Sequence, residues 1–139
     1  MAIPSTRMDR LEVKAMKEKG SIRIFTDGSG QRPDGKASGF AWIREDTKQH
    51  HIEHVDNLTN NVAEYQAIVS ALKSLRPGCK VEILTDSLLV VSQLRGEYRI
   101  RDPKLVKLAN EVRTIEERRR FTLTVTWVPR EQNLAGKLL

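Results

Sequence analysis

Residues 21–139 predict an α/β domain: a mixed five-stranded sheet, made of an antiparallel meander joined to two parallel strands, with helices on both faces. Three observations point to it. Apolar and polar residues alternate over a β-branched run at 21–27, residues 37–44 and 49–55 read as two further strands, and the connections are short enough for antiparallel neighbours. The period then lengthens, with Val62, Tyr65, Val69, Leu72 and Leu75 recurring at intervals of three and four. Beyond that helix, strands at 81–86 and 121–128 alternate with helical segments, the arrangement that makes strands parallel.

Residues 1–20 read as an N-terminal extension. Met8, Leu11 and Ala15 share a helical face, so the segment is either a short helix or a frayed tail. The first strand ends at Asp27, and Gly28, Gly30 and Pro33-Asp34-Gly35 read as a turn-rich loop. Asp46-Thr47-Lys48 turns the chain into the third strand, and residues 57–61 lead into the first helix, which Pro77-Gly78 stops. The fourth strand runs to Asp86. Ser87 caps a helix over Leu88–Leu94 that ends near Gly96. Asp102 caps the next, with Pro103 at its first position and Leu105, Leu108, Val112 and Ile115 as its apolar stripe. Arg118, Arg119 and Arg120 close it at the negative end of the helix dipole, as phosphate contacts or as a solvated helix end. The fifth strand leads through a loop at 129–133 to a last helix expected at 134–139.

The 139 residues fit one domain with a core of its own, and 30% charged against 39% hydrophobic residues is an ordinary soluble composition. No apolar run approaches the ~18 residues of a membrane span, and residues 1–20 carry charge throughout, so neither a membrane partner nor a signal peptide is expected. Cys79 is the only cysteine, which excludes an internal disulfide and fits a reducing, cytoplasmic setting. The expected assembly is a monomer. A net charge of +6 and a pI of about 9.7 suit a nucleic-acid partner, although charge alone is equally a device for solubility.

Three acids are placed where core packing does not explain them. Asp27 ends the first strand and Asp86 the fourth, so parallel pairing of these strands sets the two carboxylates side by side at one end of the sheet. Glu64, in the first turn of the intervening helix, can point to the same spot. Converging carboxylates repel unless protonated or bound to a cation. Oxygen ligands without His or Cys favour Mg²⁺ or Mn²⁺. Two such ions ~4 Å apart promote in-line phosphodiester cleavage. Each acid alone has a bland reading, as a turn residue or a partner of the helix dipole.

Four segments carry a resemblance: Thr26-Asp27-Gly28-Ser29-Gly30, Asn60-Asn61-Val62-Ala63-Glu64-Tyr65-Gln66-Ala67, Leu84-Thr85-Asp86-Ser87, and Trp127-Val128-Pro129-Arg130-Glu131-Gln132-Asn133. In order and spacing they resemble the four motif blocks of ribonuclease H, type 1, over residues 21–139. The resemblance implies an endoribonuclease that cuts the RNA strand of an RNA·DNA hybrid with metal-activated water, leaving 3′-hydroxyl and 5′-phosphate ends. It makes Asp27, Glu64 and Asp86 the metal-binding and catalytic carboxylates, with two Mg²⁺ or Mn²⁺ ions per site. Asn60 and Asn61 are expected on base and sugar edges in the minor groove and Thr59 on a DNA phosphate; Gly28, Ser29, Ser87 and Arg130 complete the substrate-binding set.

The sequence departs from that pattern in three places. The family's fourth carboxylate is missing: aligning on Ala135 puts Gly136 at its position, while a shifted helix start puts Asn133 near it. Asn133 is therefore expected to stand in as fourth ligand and catalytic residue, with Glu131 as the backup. A histidine that some members carry after the fifth strand is replaced by Arg130 and Glu131. A long basic handle is absent, residues 96–101 joining two helices directly, so Lys104 and Lys107 are expected to help hold the hybrid. His50, His51 and His54 read as exposed strand residues, and Trp42 and Trp127 as core or partly buried sheet residues. Ser29 has no base beside it, and Gly28-Ser29-Gly30 lacks the ending of a phosphate loop. Two other readings stand beside this one: a noncatalytic nucleic-acid-binding module of the same fold, and a resolvase or exonuclease on that fold.

Overall fold

The computed structural model describes residues 21–35 and 37–139; the expected helix or tail over Met8, Leu11 and Ala15 lies outside them. Its elements in chain order are β1 (Ser21–Ser29), β2 (Gly39–Arg44), β3 (His50–His54), α1 (Asn60–Lys73), β4 (Lys80–Thr85), α2 (Leu88–Leu94), α3 (Pro103–Arg118) and β5 (Thr122–Trp127). Two short 3-10 turns follow, Arg130–Gln132 and Leu134–Lys137. The sheet order is β3-β2-β1-β4-β5. β1 pairs antiparallel with β2 and parallel with β4, so the meander and the parallel half meet at β1.

Register divides the apolar residues between two faces. Ile24, Ile83 and Val125 lie level on adjacent strands and share one core with Trp42 and the inner faces of all three helices. Phe25 and Leu84, one residue on, point to the opposite face and pack with Ala135. Among the described residues, the element packed on that second face is the turn Leu134–Lys137. The helix expected over 134–139 is thus a single 3-10 turn, in a stretch where Gly136 is a poor helix former.

α1 runs against the centre of the sheet and buries Ala63, Ala67 and Ala71, small residues that let its backbone approach closely, beside Tyr65, Ile68 and Leu72. Thr59 caps it by accepting from Val62 N at 3.3 Å. Ser87 caps α2 and Asp102 caps α3, where Pro103 takes the first position. At the pole opposite the carboxyl ends of β1 and β4, Arg119 donates to the carbonyls of Lys73 and Leu75, stapling the end of α3 to the end of α1. β1 extends through Gly28 and Ser29, which pair with Phe40 and Gly39, so these residues belong to the strand rather than to the loop expected there. β2 starts at Gly39 instead of Ala37, because the Ser38 hydroxyl ties the loop to the Val55 carbonyl.

Trp42 is buried, as expected, and donates to the Ser70 hydroxyl. Trp127 is 46% exposed, which corrects the reading of it as a core or partly buried residue. It stands at the end of the edge strand β5, where nothing described covers it, and its indole N–H donates to Asp86 O at 3.2 Å. His50, His51 and His54 lie exposed on the other edge strand, β3.

Candidate active site

The parallel register of β1 and β4 pairs Phe25 with Leu84, and two residues on come Asp27, still within β1, and Asp86, one residue past the end of β4 rather than in it as expected. Glu64 reaches the same point from the fifth position of α1, one turn further into the helix than expected, because the helix starts at Asn60. One oxygen from each of the three carboxylates lies within 4.8 Å of the others. Asp27 is 3% exposed and Glu64 7%.

Glycine makes this convergence possible. A Cβ on Gly28 would collide with the backbone of Ala63 and Glu64, so only glycine lets α1 settle against β1 at this level. A Cβ on Gly30 would stand 2.6 Å from Asn60 N, and the Gly30 N–H instead donates to Asn60 Oδ1 at 2.6 Å. Close docking of the helix start on the strand end is what carries Glu64 to Asp27.

The electrostatic cost is plain. Burial, followed by the charges of Asp27 and Asp86, pushes the Glu64 carboxyl up to about 9. Asp27 is raised as well, by burial and by the charge of Asp86, against a smaller opposing pull from Arg130. Asp27 Oδ1 is buried and without a hydrogen-bond partner. An orphaned carboxylate oxygen among three converging acids is a donor set that suits a hard divalent cation.

The cluster opens into a cleft of about 440 Å³. Gly28, Ser29, Asn60, Asn61, Ser87 and Arg130 line it with the three acids, so most of the expected set is brought together. Thr59 does not line it; its hydroxyl is engaged in the α1 cap. Lys104 and Lys107 are exposed on α3 and are not part of the cleft. A larger trough of about 740 Å³ on the second face has no comparable cluster among the described residues, and Arg23 there is paired with Glu45 and Glu82.

Asn133 sits beneath the cluster, 1% exposed. Its Nδ2 donates to Thr26 O at 2.9 Å and to Asp86 Oδ2 at 3.2 Å, while Oδ1 accepts from Ala135 N at 3.1 Å. In this orientation the amide presents its hydrogens to Asp86 and to the Thr26 carbonyl, and its oxygen is occupied as a cap. A Cβ built on Gly136 would lie 3.5 Å from Asp27 Oδ2, so this position faces the cluster directly. Glu131 is exposed and does not line the cleft.

Sequence reasoning missed Arg32, which lines the cleft and pairs with Asp34 at 3.0 Å; a basic residue inside a glycine-rich loop was the available signal. It also missed Thr85, whose hydroxyl donates to Glu64 Oε2 at 3.3 Å; its place immediately before Asp86 in a motif block was the signal.

A family model described as RNase H matches residues 19–130. The chain is similar to the bifunctional protein Rv2228c of Mycobacterium tuberculosis, 33% identical over 81 residues that make up 57% of this chain and 22% of that protein. The chain therefore spans about a fifth of that relative's length. It is also similar to a ribonuclease H of Rhizobium etli, 30% identical over 117 residues covering 77% of this chain and 78% of that one. Among solved structures, LC11-RNase H1 in complex with an RNA/DNA hybrid superposes with a TM-score of 0.74 at 30% identity, covering 85% of this chain and 92% of that chain.

Proposed function

The chain belongs to the RNase H family, and from that premise we propose that it is an endoribonuclease that cleaves the RNA strand of RNA·DNA hybrids. The observation that carries the reading is the cluster of Asp27, Glu64 and Asp86, with one oxygen of each within 4.8 Å of the others at the floor of an open cleft. In this reading the three carboxylates hold Mg²⁺ or Mn²⁺. Such ions, when bound, lower the pKa of a coordinated water and stabilise the oxygen that leaves phosphorus.

The chain's own residues supply the rest. Asn60 and Asn61, at the start of α1, reach the shallow minor groove of a hybrid, where the 2′-hydroxyl marks the RNA strand. The exposed Arg130 binds a phosphate beside the cluster and offsets part of its negative charge. Ser29 and Ser87 offer hydroxyls to the backbone at the cleft wall. Cleavage leaves a 3′-hydroxyl and a 5′-phosphate.

The noncatalytic alternative draws on one observation: Gly136 faces Asp27 without a side chain, so the site has one charge fewer than the family pattern. A single assay separates the two. Labelled hybrid, duplex DNA and duplex RNA are incubated with Mg²⁺, Mn²⁺ or EDTA, using the parent protein and its Asp86→Asn variant. Metal-dependent cutting of the hybrid alone, lost in the variant, is the expected result. Binding of hybrid without cutting under any metal establishes the noncatalytic alternative instead.

A further inference from the structure

Thr85 is the last residue of β4 and is completely buried, yet the proposed reaction gives it no task. Its hydroxyl does two things at once. It donates to Glu64 Oε2 at 3.3 Å and accepts from Ser87 N at 3.1 Å. Asp86 lies between Thr85 and Ser87 in the chain, so one hydroxyl joins a carboxylate carried by α1 to the turn that carries another.

We infer that Thr85 is a positioning residue of the carboxylate cluster, fixing the head of Glu64 and the Asp86 turn relative to each other; the role rests on the metal-binding reading above. Three arguments support it. Glu64 has a long side chain whose end must be held against the repulsion of Asp27 and Asp86. Gly28 of β1 lets the Glu64 backbone pack close, and Thr85 of β4 binds the carboxylate itself, so both strands that carry its partners help set where Glu64 sits. The Ser87 N–H would be an unsatisfied donor at the start of α2 without the Thr85 oxygen. The neighbouring strand supplies a contrast: Thr26 is equally buried, one residue before Asp27, and its hydroxyl has no hydrogen-bond partner.

That contrast provides a matched control. Thr→Val keeps the shape and the β preference and removes only the hydroxyl. The test compares the parent, Thr85→Val, Thr85→Ser and Thr26→Val, reading Mn²⁺ affinity by calorimetry and hybrid cleavage across a Mn²⁺ titration. Thr85→Val is expected to weaken Mn²⁺ binding about 10-fold or more, the usual effect of removing a group that orients a metal ligand, with cleavage recovering at high Mn²⁺. Thr85→Ser and Thr26→Val are expected to bind Mn²⁺ as the parent does. If Thr85→Val does not fold, Thr85→Ala carries the same comparison.

Parent-like Mn²⁺ affinity in the hydroxyl-free Thr85 variant overturns the role, as does an equal loss in Thr26→Val, which would mark a packing effect common to both sites. A parent protein that binds no Mn²⁺ overturns the metal reading, and this role with it. A parent that binds Mn²⁺ and a Thr85 variant that binds it equally well overturn the role alone.

Discussion

Asn133 uses both ends of one amide: its nitrogen bridges Thr26 O and Asp86, and its oxygen caps the following turn. Truncation to Ala strips a donor from a buried carbonyl and a carboxylate together. We expect Asn133→Ala to lose on the order of 1–3 kcal/mol of stability and most of its cleavage. Asn133→Asp replaces a donor with a charge facing Asp86, so it should melt lower without metal and recover partly when Mn²⁺ is added. Gly136→Asp differs, because its Cβ would start 3.5 Å from Asp27 Oδ2 with no backbone in the way. It should bind Mn²⁺ more tightly than the parent and respond to Mn²⁺ with a larger rise in Tm. Thermal melts with and without Mn²⁺ compare all three, and a Gly136→Asp protein that gains nothing from Mn²⁺ shows that position 136 does not face the ions. The sequence pointed to both positions by alignment alone. Which end of the Asn133 amide faces the acids depends on Thr26 O and Ala135 N, and no pattern in the sequence expresses those contacts.

The seam between β1 and α1 decides whether the site exists. Gly28 has no room for a Cβ against the Ala63 and Glu64 backbone, and a helix backbone cannot yield as a flexible side chain can. Gly28→Ala should push the start of α1 outward, carry Glu64 away from Asp27, and cost about 1–3 kcal/mol as other overpacking changes do. Mn²⁺ affinity should fall further than Tm does, and calorimetry beside a thermal melt checks the pair. The helix starts were readable: the caps Ser87 and Asp102 are local signals, and the structure bears them out. The end of α1 was not: the helix stops at Lys73 with Ser74 as its C-cap, ahead of Pro77-Gly78, so Leu75 lies beyond it. Nor were Gly28 and Gly30, because a glycine required by a neighbouring helix looks the same in sequence as a glycine required by a turn. Trp127 escaped for a related reason. Alternation gives the side of a strand, whereas exposure depends on β5 being an edge, which is a property of the whole sheet.

For the molecule as a whole, the cluster ties stability to pH. The Glu64 carboxyl rises from 4.5 to about 9 on folding, so between these values the folded protein holds a proton that the unfolded chain has released. Its contribution is complete below 4.5 and is lost as pH rises toward 9. Asp27 is shifted in the same direction. Asp46 is shifted the other way by its bonds to Arg44, so its contribution is lost only on acidification, outside this window. The metal-free protein should therefore melt at falling temperature from about pH 5 to pH 9. Saturating Mn²⁺ should flatten that slope, and Glu64→Gln should remove most of it. Melts in a series of buffers containing EDTA measure the effect, and a metal-free Tm that rises across this range would refute the assignment.

The Arg119 staple gives the fold two unlike poles. At one pole a guanidinium closes the ends of α1 and α3 over the start of the sheet. At the other, three acids press against each other with a carboxylate oxygen unpartnered. Local opening starts where the least is gained by staying closed. In the absence of a cation, backbone amides around the start of α1 and the turn after β4 should exchange with solvent sooner than those beside the staple. A bound cation would then act as a latch on the breathing of that end, so that the ion needed for chemistry also sets how often the cleft comes apart.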